Sequence, residues 1–257
     1  MLLVFADRHD LVKLAAPHPI NHMVELGVYE GDFSQHCQQW LMPKRYTLID
    51  FWDYSQYSFV LEDAPQMSEL RAVYSQYFRD DPQKTLDAAY EKTRSRFAEI
   101  HSVEILKMDI ATAAKRFADA SLDFIYLDGN HTYEFVLRDL HLWFPKLRDG
   151  GIFVCNDFFE SPLGAKQNLG VIPAFLTFSK RYQTYPIALT SSWWSDFYFS
   201  NAPSSDLIAH LSARIYASEF PVMEIPDELL GAYHHEPVEN PGQAPRLIPS
   251  FGYRRAP

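Results

Sequence analysis

The amino-acid sequence predicts an α/β fold, in which a mostly parallel β-sheet is covered by helices on both faces. The first observation behind this prediction is an alternation: between residues 20 and 182, short apolar segments are separated by segments with the spacing of amphipathic helices. The second is that the apolar segments end in polar residues, and mostly in acids. In a parallel sheet these ends meet at one edge, which is where ligands bind.

Composition limits the possible partners. The chain has 257 residues, of which 47% are hydrophobic, and this is enough for one sizeable core. Its 23 Lys and Arg are outnumbered by 33 Asp and Glu, and no basic block stands out. The sequence therefore argues against nucleic acid as a partner and favours a neutral or cationic small molecule. Cys37 and Cys155 are too few for a disulfide framework or a zinc knuckle, so we expect buried free thiols.

Targeting signals are not evident in the sequence. Residues 1–8 have too short an apolar run for a signal peptide and no preceding positive region. No apolar run approaches the roughly 20 residues that span a membrane. We therefore expect a soluble, cytoplasmic protein that does not bind membranes.

The elements of the N-terminal half follow from apolar spacing and from helix breakers. A short helix over Asp7–Ala15 should end before Pro17, because proline interrupts helical hydrogen bonding. The segments that follow are predicted to be strand Ile20–Gly27, a helix from Asp32 to about Trp40, strand Arg45–Asp50, helices Glu62–Phe78 and Pro82–Ile100, and strand Val103–Asp109.

The C-terminal half continues the same alternation. Strand Leu122–Asp128 is almost wholly apolar in its second half, as expected of a strand buried on both faces. The other predicted elements are helices Ala111–Phe117, Tyr133–Leu147 and Val171–Tyr182, and strands Ile152–Asp157, Thr184–Thr190 and Asp196–Ser200.

The predicted organisation has one main domain and an arm. Residues 1–203 form the domain, with a helical insertion at about 54–100. Residues 204–257 contain a helix and a Pro-rich arm, which is compatible with a homo-oligomer in which the arm clasps a neighbour. His234 and His235, in this arm, are expected to be exposed to solvent.

A glycine turn follows the first predicted strand. Glu25 precedes Gly27, and Gly31 closes the turn before a helix. Glycines allow the backbone to approach a ligand closely, although a strand-turn-helix of purely structural role has the same pattern. A pyrophosphate-binding turn would need G-x-G-x-x-G, which is missing here, and Glu25 and Glu30 would repel a pyrophosphate.

The block from residue 121 to 158 is the most specific part of the sequence. It contains an Asp-Gly-x-His-x-Tyr signature directly after the fourth predicted strand and continues through Asp149-Gly150-Gly151 to Asn156-Asp157. On these residues the chain resembles the class I S-adenosylmethionine-dependent methyltransferases, in a methyltransferase domain 24-like subgroup. The resemblance spans roughly residues 20–200.

The resemblance implies a fold and a cofactor. The fold would be a Rossmann-like, doubly wound, mostly parallel sheet of seven strands with an antiparallel last strand. S-adenosylmethionine would be held by Glu25, Gly27 and Gly31 at its methionine and ribose parts, and by Asp50 at the ribose hydroxyls. In addition, the resemblance places Asp109 and Ile110 at the adenine, and Asp128 after the fourth strand.

The acceptor side of the site is expected near the same block. Asp128 and His131 are the candidate catalytic residues, with His131 as a general base, although a histidine after a turn is often only a surface residue. In related O-methyltransferases, acids at the positions of Asp128, Asn156 and Asp157 bind a divalent metal, so the resemblance implies Mg²⁺ as a second cofactor. Asn156 departs from that pattern.

The resulting hypothesis is an enzyme that methylates a hydroxyl of a small molecule, and sugars, polyketide hydroxyls and phenols are all compatible acceptors. One alternative is a catalytically inactive protein that retains the cofactor site, as Asn156 suggests. A less favoured one is an NAD-type oxidoreductase. Four aromatic residues flank the predicted strand ends, namely Trp52, Tyr54, Trp193 and Trp194. They could form the wall of the acceptor pocket, but the sequence slightly favours ordinary packing in the core and at its rim.

Overall fold

The computed structural model describes residues 1–55, 81–161, 169–238 and 246–252, together with positions 72, 76, 78, 164, 165 and 167. The helix predicted over Glu62–Phe78 lies almost wholly outside these residues. Among them, no helix is long and apolar enough to cross a membrane.

A single large sheet forms the centre of the fold. Its strands are β1 (Leu2–Val4), β2 (His22–Leu26), β3 (Arg45–Asp50), β4 (Val103–Lys107), β5 (Leu122–Leu127), β6 (Leu147–Cys155), β7 (Tyr185–Thr190), β8 (Phe197–Ser200) and β9 (Val222–Glu224). They are arranged in the order β4-β3-β2-β5-β6-β8-β7-β1-β9. The first five strands of this order run parallel, and β8 is antiparallel to both β6 and β7. The predicted fold class is therefore confirmed.

Two strands of the sheet were not predicted. β1 pairs in parallel with β7, and β9 pairs antiparallel with β1, so together they extend the predicted sheet at one edge. Each has 3 residues. A segment this short shows no measurable periodicity, so sequence patterning cannot detect it.

The helices cover both faces of the sheet. They are α1 (Arg8–Ala15), α2 (Asp32–Leu41), α3 (Pro82–Phe97), α4 (Ile110–Ala113), α5 (Tyr133–Trp143), α6 (Val171–Ser179) and α7 (Asp206–Tyr216). One apolar cluster lies under α1, α2, α3 and α7, and a second lies under α4, α5 and α6. Met23 belongs to the first cluster and Val24 to the second, since neighbouring strand residues face opposite sides.

The region beyond α7 is folded against the domain. Strands β10 (His234–Val238) and β11 (Arg246–Ser250) form an antiparallel pair. The prediction that His234 and His235 are exposed is wrong, because their relative exposures are only 4% and 2%. His235 stacks on Phe159, and its Nε2 lies 3.1 Å from the Tyr233 hydroxyl. The Pro-rich composition concealed these contacts.

Candidate active site

The strand order of the sheet reverses between β2 and β5, and the carboxyl ends of these two strands form its switch point. Gly27 follows β2 with a φ of +92°, and a Cβ built on it would lie 1.9 Å from the backbone oxygen of Asp128. Gly31 has a φ of +72°, and its Cβ would lie 3.1 Å from the Phe97 ring. Both predicted glycines are thus required by the backbone, and at Gly27 no side chain fits.

Asp50, at the end of β3, holds the glycine turn in place. Its Oδ2 accepts hydrogen bonds from the backbone N–H groups of Val28 (2.8 Å) and Tyr29 (2.9 Å). Its Oδ1 accepts one from Trp52 N–H (2.9 Å). A carboxylate offers about four acceptor sites, so Asp50 retains capacity for a further donor at this edge.

Glu25 lies below the turn rather than at the surface of the site. It is 1% exposed, and the Tyr46 hydroxyl donates a hydrogen bond to its carboxyl. Burial raises the pKa of Glu25 to about 8, so the group is largely protonated at neutral pH. The sequence correctly predicts an acid before the glycines. Successive side chains of a strand face opposite sides of the sheet, however, and the side chain of Glu25 therefore points into the apolar cluster under α1 and α2.

Asp109 and Ile110 lie after β4, on the other side of the turn. Asp109 caps α4 by accepting the Thr112 N–H at 2.7 Å. Ile110 Cδ1 packs against Gly129 so closely that a Cβ there would lie 2.9 Å from it. Ile110 therefore contacts the loop that follows β5.

His131 lies between two of the predicted acids. Its Nε2 is 3.5 Å from Asp128 Oδ1, and its Nδ1 is 3.2 Å from Asp157 Oδ2. The Nε2 atom is buried and has no hydrogen-bond partner among the described residues. Burial raises the pKa of Asp157 to about 6. The three predicted residues are thus brought together, with the imidazole as the bridge.

Two of the three predicted metal ligands, Asn156 and Asp128, are already engaged by other side chains. Asn156 Nδ2 donates to Asp196 Oδ1 at 2.8 Å, so it presents a donor to that carboxylate. Asp128 Oδ2 is paired with the Arg8 guanidinium at 2.9 Å. Within the described ranges, no cluster of three or more His, Cys, Asp or Glu could hold a metal ion. As placed, these residues do not fit Mg²⁺, which prefers oxygen ligands without a competing cation.

Arg8 is the site residue that sequence reasoning missed. Besides Asp128, its Nη1 lies 3.4 Å from the Tyr126 hydroxyl, and its Cζ lies 4.4 Å from the centre of the Phe33 ring. Arg8 is the first residue of α1, far in sequence from the motifs. The insertion of β1 into the sheet and the packing of α1 on α2 and α7 bring Arg8 here, and no local signal in the sequence indicates these distant contacts.

A family model described as a methyltransferase domain matches residues 24–158, which is more than half of the chain. The chain belongs to this methyltransferase family. The predicted relationship to class I S-adenosylmethionine-dependent methyltransferases is therefore confirmed. No curated protein matches the sequence.

The fold of this chain is similar to that of two solved methyltransferases. The N-methyltransferase NodS from Bradyrhizobium japonicum is 14% identical, with a TM-score of 0.51 over 76% of this chain and 94% of NodS. The Podospora anserina methyltransferase PaMTH1 is 10% identical, with a TM-score of 0.51 over 74% of this chain and 75% of PaMTH1. The match to spermidine synthase from Thermotoga maritima (16% identity, TM-score 0.47) covers 79% of this chain and 61% of that enzyme.

The aromatic residues predicted near the strand ends have different environments. Trp52 is buried, donates its indole N–H to the Tyr29 carbonyl at 2.8 Å and packs on Tyr90. Trp194 packs edge-on against Phe159. Trp193 is 51% exposed. Ordinary packing thus accounts for Trp52 and Trp194.

Proposed function

We propose that this protein transfers a methyl group from S-adenosylmethionine to a hydroxyl oxygen of a small molecule. The observation that supports the proposal best is His131 between Asp128 and Asp157, beside the β2–β5 switch point. An oxygen acceptor must lose a proton, and a carboxylate-supported imidazole is a suitable general base near neutral pH.

The cofactor assignment rests on the family and on the chemistry of the strand ends. Asp50 ends β3, Asp109 follows β4 and Asp128 follows β5, so the three acids lie at the carboxyl ends of three of the five parallel strands. S-adenosylmethionine carries a sulfonium and no phosphate, so acids at this edge suit it. PaMTH1, which shares the fold, has been solved with bound S-adenosylhomocysteine, the demethylated product. On this basis Asp50 would receive the ribose hydroxyls, and Asp109 with Ile110 the adenine.

The residues of this chain supply orientation and a proton acceptor. When bound, S-adenosylmethionine supplies an electrophilic methyl group. Asp157 lies 3.2 Å from His131 Nδ1 and would hold the proton there, which leaves Nε2 able to accept a proton. His131 Nε2 would take the proton of the acceptor hydroxyl as that oxygen receives the methyl group. Asp157 would stabilise the resulting imidazolium.

The proposed reaction does not require Mg²⁺. The sequence implies this ion at Asp128, Asn156 and Asp157, but Arg8 already neutralises Asp128 and Asn156 donates to Asp196. We therefore expect the initial rate after dialysis against EDTA to equal the initial rate in added Mg²⁺. Both rates are measured with an acceptor that the wild-type protein methylates. A strong loss that Mg²⁺ restores would show that these side chains rearrange around a metal.

The cofactor proposal is tested by calorimetry with S-adenosylhomocysteine. Wild-type protein should bind it, and Asp50→Ala should weaken binding by about tenfold or more, because it removes a charged acceptor. Asp149→Ala, at an exposed acid of β6, is the matched control and should bind as wild type does. Failure of the wild type to bind would refute the proposal.

Two other functions remain distinguishable by experiment. A catalytically inactive cofactor-binding protein would bind S-adenosylhomocysteine but turn over no member of an acceptor panel of sugars, polyketide hydroxyls and phenols. An NAD-type oxidoreductase would enhance NADH fluorescence on mixing.

A further inference from the structure

We propose that Arg8 and Asp128 together recognise the α-amino-acid end of S-adenosylmethionine, with Arg8 binding its carboxylate and Asp128 its ammonium group. This inference rests on the proposed function, and it assigns a role to a residue outside the matched family region of residues 24–158. It also implies that the site selects the carboxylated cofactor over a decarboxylated one.

The position of Arg8 is the first argument. Its guanidinium lies against Asp128, which follows β5, and against the ring of Phe33, two residues after Gly31. It is therefore placed between the glycine turn and the β5 end, on the two sides of the switch point. Contact with Phe33 and Tyr126 restricts the long side chain before any ligand arrives, which reduces the entropy lost on binding.

The order of the strand ends is the second argument. Along the sheet, Asp109 follows β4, Asp50 follows β3, Gly27 follows β2 and Asp128 follows β5. If adenine lies at Asp109 and ribose at Asp50, the cofactor runs along this edge. Its methionine end must then reach the β5 end, where the Arg8–Asp128 pair lies.

Charge complementarity is the third argument. The free amino-acid group carries one positive and one negative charge, as does the Arg8–Asp128 pair. A ligand carboxylate would be repelled by Asp128 and Asp157 unless a cation offset them. The hydrogen bonds described for Arg8 use only Nη1, so Nε and Nη2 can form the paired contacts that guanidinium groups make with carboxylates. The side chain is 28% exposed, so a ligand can reach it.

A simpler role for Arg8 would be structural, holding α1 against the end of β5. Replacing a structural residue should change the affinity for all ligands of the site equally. Replacing a carboxylate-binding residue should change the affinity only for ligands that carry the carboxylate. Methylthioadenosine contains the nucleoside and the sulfur but lacks the amino-acid group. Decarboxylated S-adenosylmethionine lacks only the carboxylate.

The experiment is calorimetry with S-adenosylmethionine, decarboxylated S-adenosylmethionine and methylthioadenosine. Wild-type protein should bind S-adenosylmethionine more tightly than its decarboxylated form, by about tenfold or more. Arg8→Gln should remove this preference and leave the affinity for methylthioadenosine within about twofold of wild type. Arg8→Lys should restore part of the preference, because it retains the charge without the planar fork.

The matched control is Arg45→Gln. Arg45 also forms an ion pair with an acid, Glu104, at 2.8 Å, but it begins β3 and so lies at the opposite edge of the sheet. This variant should bind all three ligands as wild type does.

Each other outcome overturns the inference. Equal wild-type affinity for S-adenosylmethionine and its decarboxylated form would do so even if Arg8→Gln fails to fold. A folded Arg8→Gln that retains the preference, or that loses methylthioadenosine affinity as strongly as S-adenosylmethionine affinity, assigns Arg8 a structural role. Failure of wild type to bind any of the three would instead refute the proposed cofactor, and with it this inference.

Discussion

At the scale of single residues, His131 gives the most direct prediction. His131→Ala removes the proton acceptor, so kcat should fall by about a hundredfold or more, while affinity for S-adenosylhomocysteine stays within about twofold. His101→Ala, at an exposed histidine, should change neither quantity. Rate measurements and calorimetry on wild type, His131→Ala and His101→Ala test this prediction. An unchanged kcat in His131→Ala would show that His131 takes no part in the proton transfer.

The same residues predict a pH dependence of the rate. Burial raises the pKa of Asp157 to about 6, so this carboxyl is protonated as the pH falls through that value. A protonated Asp157 no longer stabilises the His131 imidazolium, and kcat should decline on the acid side. Asp157→Asn should be slow at all pH values, and its acid limb should move to a different pH, because only protonation of the general base then remains. An acid limb with the same midpoint in wild type and Asp157→Asn would show that Asp157 does not contribute to it.

The roles of some site residues could be predicted from the sequence, and those of others could not. Gly27 and Gly31 were predictable because a positive φ and a close approach leave few alternatives to glycine. The grouping of Asp128, His131 and Asp157 was predictable because parallel strand ends meet at one edge. The protonation of Glu25 was not, because it depends on burial, and the contact of Arg8 was not, because it depends on distant strand pairing.

At the scale of the element, α1 depends on its N-cap. The Asp7 side chain accepts from the N–H groups of His9 (2.8 Å) and Asp10 (3.0 Å), and Asp10 reaches back to complete a capping box. Asp7→Ala should lower the free energy of unfolding by about 1 kcal/mol, whereas Asp7→Asn should stay close to wild type, since asparagine caps equally well. Urea titrations measure both, and equal losses would show that the charge of Asp7 matters rather than its cap.

Elements with a clear period were predicted well. Strand Arg45–Asp50 has the predicted bounds, and α3 begins at Pro82 as predicted, since Asp81 caps it and proline is favoured in the first turn. The helix predicted over Tyr133–Leu147 ends instead at Trp143, where a short turn of 3₁₀ helix containing Pro145 follows. The pair β10–β11 was missed, because prolines within both strands masked their pattern.

At the scale of the whole molecule, Glu25 should make stability depend on pH. Its folded pKa is about 8 and its ordinary value 4.5, so between these values the folded state binds more protons than the unfolded state. The free energy of unfolding should therefore fall as the pH rises through this window, by up to about 1.4 kcal/mol per pH unit. Glu25→Gln, which still accepts from Tyr46, should flatten the slope.

Comparison of wild type with Glu25→Gln isolates this effect. Burial raises the pKa of Asp196 to about 7, which adds a slope of the same sign, while burial lowers the pKa of His22 and His235 to about 4, which opposes it in acid. Thermal unfolding at several pH values above neutrality should show the difference. Glu91→Gln, at an exposed glutamate of α3, serves as control. Identical slopes in wild type and Glu25→Gln would mean that Glu25 is ionised in the folded protein.

The placement of β1 also has a consequence for the order of assembly. β1 pairs Leu3 with Leu189 of β7 and with Met223 of β9, so its partners are synthesised long after it leaves the ribosome. Until then β1 has no partner in the sheet, although α1 can already pack against α2, where the His36 Nε2 lies 2.9 Å from the His9 carbonyl. Contacts this distant in sequence form slowly, because a long loop must close first. The part of the chain that is made first thus joins the sheet last, and a nascent chain that ends before β7 would contain the glycine turn and His131 while β1 still lacks both of its partners.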